Sequence, residues 1–181
     1  RSPYNYGMFA ISTILIKTSF STSDENSSAA FDDFRSNRLP IANRLATEKG
    51  IDLSNPANID AEGYPKGFGK NNQAVLLPAF LAAYSGESAS STSLGIFKSF
   101  PVPNWSIKYN GLMRFDFFKK NFKRFSLQQN YIASYSISAF RSNFEYDKNP
   151  NGVDISGNYY NKTIMSNVNL VERFNPLIRM D

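Results

Sequence analysis

Between Arg124 and Arg141 apolar and polar residues alternate almost without interruption. The odd positions run Phe125, Leu127, Gln129, Tyr131, Ala133, Tyr135, Ile137, Ala139 and Arg141. The even positions run Arg124, Ser126, Gln128, Asn130, Ile132, Ser134, Ser136, Ser138 and Phe140. Successive side chains of a strand point to opposite faces, so this spacing predicts a strand with one apolar face and one face of hydroxyls and amides. The stretch is long, since globular strands usually run to about 5–6 residues. Its polar face holds small uncharged groups rather than the Lys/Glu mixture of a soluble surface. That combination suits a transmembrane barrel wall. Phe125, Leu127, Tyr131, Ala133, Tyr135, Ile137 and Ala139 are then expected toward lipid. Ser126, Gln128, Asn130, Ser134, Ser136 and Ser138 are expected toward a wet lumen.

Tyr6 to Ser21 is rich in β-branched and aromatic residues and predicts a first strand. In Ser23 to Gly50, Phe31, Phe34, Leu39, Ile41 and Leu45 recur at roughly helical spacing. Asp24 or Asn26 can cap that helix, Pro40 should kink or restart it, and Gly50 can stop it. Ile51 to Lys70 reads as a polar loop, Asn72 to Tyr84 as a short apolar helix, and Ser85 to Ser93 as a mobile Ser/Ala/Gly stretch. A short strand over Leu94 to Phe100 ends at Pro101 and Pro103. Alternation resumes from Trp105 to Leu112. Asp147-Lys-Asn-Pro-Asn-Gly152 is a turn cluster. Asn158 to Phe174 is a further strand of less clean register, and Leu177 to Asp181 resembles another. The expected fold class is mainly β: an arc of antiparallel strands from a very large transmembrane barrel, with a helical insertion. The expected organisation is a barrel strand over 1–21, an insertion over 22–93 that plugs, caps or separates strands, and barrel strands with turns over 94–181. Four or five strands are too few to close a membrane barrel, for which about eight is the usual minimum. The chain is therefore expected to be an internal piece of a longer one.

Composition narrows the chemistry. The 181 residues include no cysteine and no histidine. That removes disulfides, thiolate nucleophiles, Cys/His zinc sites and a Ser–His–Asp relay. Net charge is +5, yet only 19% of residues are charged while 15% are aromatic. A nucleic-acid binder usually carries more, and more clustered, Lys and Arg. No apolar run reaches the ~18–20 residues of a membrane helix, so any crossing is by strands.

Candidate chemistry is sparse. Phe117-Phe-Lys-Lys-Asn-Phe-Lys-Arg-Phe125 is the densest local cluster. With Trp105, its residues Phe117, Phe118, Lys119, Lys120, Phe122 and Lys123 read as an interfacial anchor, rings at headgroup level and ammonium groups on phosphate. A basic-aromatic nucleic-acid patch and a solvated turn with a few buried rings are the competing readings. Trp105 and tyrosines 109, 131, 135, 159 and 160 suit either an aromatic girdle or ordinary sheet packing. Asp32-Asp33 suits exposed helix carboxylates better than a metal pair. Gly67-Phe-Gly69-Lys resembles a phosphate loop only in its glycines. No catalytic constellation, metal site or cofactor site stands out, and an enzyme is not expected.

Taken together, these residues resemble one family. Phe100-Pro-Val-Pro-Asn-Trp-Ser-Ile-Lys-Tyr-Asn-Gly-Leu112 is similar to its Pro-x-Pro-Asn-Trp-x-x-x-Tyr-(Asn/Asp)-Gly-Leu segment. Phe117-Phe-Lys-Lys and Ser126-Leu-Gln-Gln-Asn-Tyr-Ile-Ala-Ser-Tyr135 follow at the expected distance. Phe31-Asp-Asp-Phe-Arg and Pro40-Ile-Ala-Asn-Arg-Leu45 resemble its helical insertion, and Glu172-Arg-Phe-Asn-Pro-Leu-Ile178 its strand break. The family is SprA/Sov, the giant outer-membrane translocon of the type IX secretion system of Bacteroidota. The resemblance implies passage of folded cargo proteins to the cell surface, support of gliding motility, and location in the outer membrane. The implied partners are the rest of the same barrel chain, a PorV-type barrel shuttle, a plug protein, secreted cargo and outer-membrane lipid, with no nucleic acid and no cofactor. The alternative is a soluble or periplasmic β-sheet module that binds a partner by its apolar face and has no transport role.

Overall fold

The computed structural model describes residues 5–176 and 179–180. Its centre is the alternating stretch, a 16-residue strand, β3 (Leu127–Ser142). Four shorter strands pair with it, all antiparallel: β1 (Tyr6–Ser12), β2 (Trp105–Tyr109), β4 (Thr163–Phe174) and the two-residue β5 (Arg179–Met180). β1 pairs with the C-terminal half of β3, from Tyr6 opposite Arg141 to Ser12 opposite Ser134. β2 pairs with the N-terminal end, from Trp105 opposite Tyr131 to Tyr109 opposite Leu127.

β1 and β2 lie end to end along one edge of β3. The backbone groups of one strand residue point to the same edge. The Ala133 carbonyl accepts from the Thr13 N–H, which follows β1, and its N–H donates to Asn104 Oδ1, which precedes β2. β4 runs along the opposite edge, and Asn130 bonds there to Asn175 and Pro176. Among the described residues the sheet stays open and does not close into a barrel.

Two larger helices form the second layer, α1 (Ala29–Glu48) and α2 (Gln73–Ser85). At 20 and 13 residues they match the long strands in extent, so the domain is mixed α/β rather than mainly β. α1 is shorter at its start than the sequence pattern predicts. Asp24 accepts from the backbone N–H groups of Asn26 and Ser27 and shapes a turn there instead of capping the helix. These bonds hold its carboxyl below the ordinary range. The helix continues through Pro40 without restarting. α2 begins at an Asn72 cap, whose Oδ1 accepts from the Ala74 N–H, and ends at Gly86 in the left-handed conformation. Two short helices sit in the strand connections, α3 (Asp116–Asn121) and α4 (Phe144–Lys148).

The helices meet through small residues. Ile41, Ala42 and Ala46 of α1 pack with Val75 and Ala79 of α2, and Phe68 and Ala89 close the cluster. A second core lies between layers, where Leu81 of α2 reaches Tyr135 and Ile137, with Phe9, Ile96, Met165 and Val168 around them. The stretch 85–93, expected to be mobile, is tied down: Arg44 Nη1 donates to the Ala89 and Thr92 carbonyls at 2.6 and 2.9 Å. The expected strand over 94–100 is a loop, and Tyr135 donates its hydroxyl to the Ile96 carbonyl there. Irregularities at Ile137, Ala139 and Phe140 shift the β3–β4 register. They bring the even-numbered Phe140 and odd-numbered Met165 into the same core, which accounts for the uneven alternation in β4. Of the last expected strand, residues 177, 178 and 181 lie outside the described residues.

Candidate functional site

The two faces of β3 have opposite fates. Tyr131, Ala133, Tyr135 and Ile137 are buried completely within this chain. Leu15 folds over Tyr131 and Ala133, and α2 and the 94–97 loop cover Tyr135 and Ile137. The backbone N–H of Leu15 donates to the Tyr131 hydroxyl at 2.8 Å, and that hydroxyl donates to Glu172 Oε1 at 2.6 Å. These four residues, expected toward lipid, are covered by other parts of the same chain. An apolar strand face packs on whatever apolar surface is nearest, and the helical insertion supplies one. Leu127, Phe125 and Ala139 are half-buried. Coverage fades toward the β2 end, where Ile107 and Tyr109 are 54% and 51% exposed.

The even face is open. Register places Ser12, Ser134 and Val171 in one row across the sheet and Ala10, Ser136 and Asn169 in the next. Ser138 is exposed and accepts a bond from Asn169 Nδ2. Ser134, Ser136, Gln128 and Asn130 are partly exposed. Asn130 is engaged, accepting from the Ser106 hydroxyl and donating to the Asn175 carbonyl, each at 2.6 Å. Ser126 departs from its expected place: it is 5% exposed and lies before the strand begins. Hydroxyls and amides are interleaved on this face with apolar side chains, Ile132 at 50% and Val171 at 39% exposure, and the charges of Arg173 and Lys108 lie toward one end.

The basic-aromatic segment forms a separate lobe in the β2–β3 connection. Phe118 is its centre, with ring centroids 4.9 Å from Phe125 and 5.9 Å from Phe122. Phe117 is 67% exposed, and Lys119, Lys120 and Lys123 are all exposed. Trp105 is not part of this lobe. It stacks on Tyr131 at 4.2 Å and donates its indole N–H to Gln129 Oε1. The tyrosines form no girdle. Tyr131 and Tyr135 are in the sheet core, and Tyr159 packs on Phe68 of the helical core.

Sequence reasoning missed the asparagine and glutamine joints that fasten the two layers. Gln73 at the start of α2 donates from Nε2 to the Thr163 carbonyl at 2.8 Å and accepts the Met165 N–H at 2.9 Å. Its amide imitates a strand at the outer edge of β4. Asn72 Nδ2 donates to the Gly67 carbonyl, and Asn158 Oδ1 accepts the Gly69 N–H. The glycines of the supposed phosphate loop thus serve close packing. Gly67 has φ +88° and sits against the Tyr159 ring, where a side chain has no room. A shallow pocket of about 380 Å³ lies beside this joint, between Asp60, Lys66 and Tyr159. Among the described residues no group of acidic side chains is placed to hold a metal ion. No helix among them is long and apolar enough to cross a membrane. No protein-family model matches this chain, and no curated protein matches it.

Proposed function

We propose that this chain is an arc of the wall of a very large outer-membrane channel, of the SprA/Sov kind, that passes folded proteins to the cell surface in type IX secretion. The observation that carries the reading is the even face, long and bearing few charges, with Asn130, Ser134, Ser136 and Ser138 along it, on a sheet that stays open among the described residues. A conduit for folded cargo has to be wide and must not hold what passes. Serine and asparagine stay hydrated and offer a passing protein neither a strong charge nor an apolar patch. The resemblance of residues 100–135 to the translocon segment supports the same reading. The helical layer then backs the wall behind Tyr131 to Ile137, and the bilayer meets only the uncovered β2 end. In this arrangement the partners are further strands of the barrel, a PorV-type shuttle, a plug protein and the cargo, and the chain performs no chemistry of its own.

The second reading is a soluble or periplasmic partner-binding module without transport. The cover of Leu15, Leu81 and Ile96 over the apolar face favours it, because a two-layer domain needs no lipid. Cysteine labelling separates the two, since the chain has no native thiol. In intact outer membranes, Ser136→Cys should react with a membrane-impermeant maleimide and lose reactivity when cargo is stalled in the channel. Ile107→Cys should be shielded by lipid and react only after detergent is added. Equal labelling of both in membranes, unaffected by cargo, would establish the module and end the channel reading.

A further inference from the structure

The lobe between β2 and β3 carries a charge pattern that the channel reading does not use. Residues 113–125 hold Arg114, Lys119, Lys120, Lys123 and Arg124 against one carboxylate, Asp116. That is a net +4 in a chain whose total is +5. Only one ion pair forms within the lobe among the described residues, Lys119 with Asp116 at a loose 4.0 Å. Among the described residues the other cations of the lobe have no carboxylate within ion-pair distance.

Exposed rings accompany these cations. Phe115 and Phe117 are 59% and 67% exposed, although Phe118, Phe122 and Phe125 pack together beside them. The lobe therefore has its own small aromatic centre and still presents two rings outward. Phe117 and Lys120 are three residues apart on α3, so ring and ammonium share one side of the helix. Ile107 and Tyr109, on the adjoining uncovered end of the sheet, extend the apolar surface.

We propose that this lobe docks on an anionic bilayer surface, with Phe115 and Phe117 entering the headgroup boundary and Lys119, Lys120, Lys123 and the flanking arginines on lipid phosphates. Apolar insertion combined with several cations is what interfacial binding requires. A nucleic acid would satisfy the cations. It would also need flat rings presented for base stacking, and here the central rings are engaged with one another. The proposal is independent of whether the chain lines a channel.

Vesicle flotation of the full chain tests it. Vesicles of phosphatidylcholine with phosphatidylglycerol in equal parts should bind at least tenfold more tightly than phosphatidylcholine alone, and the difference should shrink as salt rises. Each lysine near an anionic surface contributes roughly a fivefold effect, so Lys119→Gln, Lys120→Gln and Lys123→Gln together should weaken binding by about a hundredfold. Phe115→Ser with Phe117→Ser should weaken binding to both compositions. These side chains are exposed, and an unchanged far-ultraviolet circular dichroism spectrum checks that each variant is folded. If the lysine variant misfolds, the salt dependence of the unaltered chain decides instead. Binding that ignores lipid charge and salt would overturn the proposal. So would tighter binding to a duplex oligonucleotide than to the anionic vesicles. Failure here leaves the cysteine-labelling result on Ser136 untouched, so the two readings fail separately.

Discussion

Gln73 bears more of the architecture than its place at the start of a helix suggests. Its side-chain amide turns an N–H donor to the carbonyl of Thr163 and its oxygen to the N–H of Met165. Free strand edges invite pairing with other chains, and a side-chain amide laid along one blocks that locally. Gln73→Ala leaves both backbone groups to water or to nothing and should lower stability by about 1–3 kcal/mol, read by denaturant unfolding. Gln73→Glu tests the geometry more sharply. An ionised carboxylate still accepts from Met165 but sets a second oxygen against the Thr163 carbonyl. When protonated, the carboxyl regains a donor. Facing the Thr163 carbonyl raises the folded-state pKa of this carboxyl, so the deficit of the Gln73→Glu variant relative to the unaltered chain should shrink as pH falls toward about 4 and stay constant below it. A deficit independent of pH would mean that shape, not the paired bonds, is what Gln73 contributes.

At the scale of elements, Leu81 makes the apolar contact between the layers, beside the polar joint at Gln73. Leu81 is 3% exposed and joins α2 to Tyr135 and Ile137 of β3. Leu81→Ala should cost about 2–5 kcal/mol, the range for emptying a packed leucine site. Loss of helical and sheet signals at one denaturant midpoint would mark the layers as a single cooperative unit, and two midpoints would mark them as separable. The same contact explains what was legible beforehand. The long strand, β2 and both larger helices follow from local periodicity, and the turn cluster from Asp147 to Gly152 is a turn only in its second half, because Asp147 and Lys148 end α4. The faces of β3 were legible too, as one apolar and one polar. What covers the apolar face was not. Alternation says that Tyr135 avoids water, but lipid and Leu81 satisfy that demand equally, and the two lie 54 positions apart in sequence. The register shift at Ala139 was hidden for a related reason, because only the partner strand reveals an extra residue. The Asn72, Gln73 and Asn158 joints left no periodic signal at all. Asn72 was read only as the first residue of a short helix, and both its cap bond to Ala74 and its bond to Gly67 emerge from the structure.

For the whole molecule, one face of the sheet is covered within the chain and the other is left open. Leu81 of α2 covers Tyr135 and Ile137 on the odd face of β3, and Leu15 covers Tyr131 and Ala133. The even face is left to water, with Ser134 and Ser136 at its middle between β1 and β4. Substitutions on an exposed face away from special features usually change stability by less than about 0.5 kcal/mol. Ser134→Phe with Ser136→Phe should therefore leave the unfolding midpoint nearly unchanged while placing two rings where the proposed channel is smoothest. If folded proteins slide along this surface, secretion in cells should slow several-fold and cargo should be recovered attached to the channel. If the chain is a partner-binding module, the same substitutions should leave secretion at its normal rate. The charge-matched variant Ser134→Asn with Ser136→Asn keeps the face hydrated and should secrete normally in either case, so it separates a loss of slipperiness from a mere change of residue. Slowing by the phenylalanine pair alone would tie the function to hydration of this face.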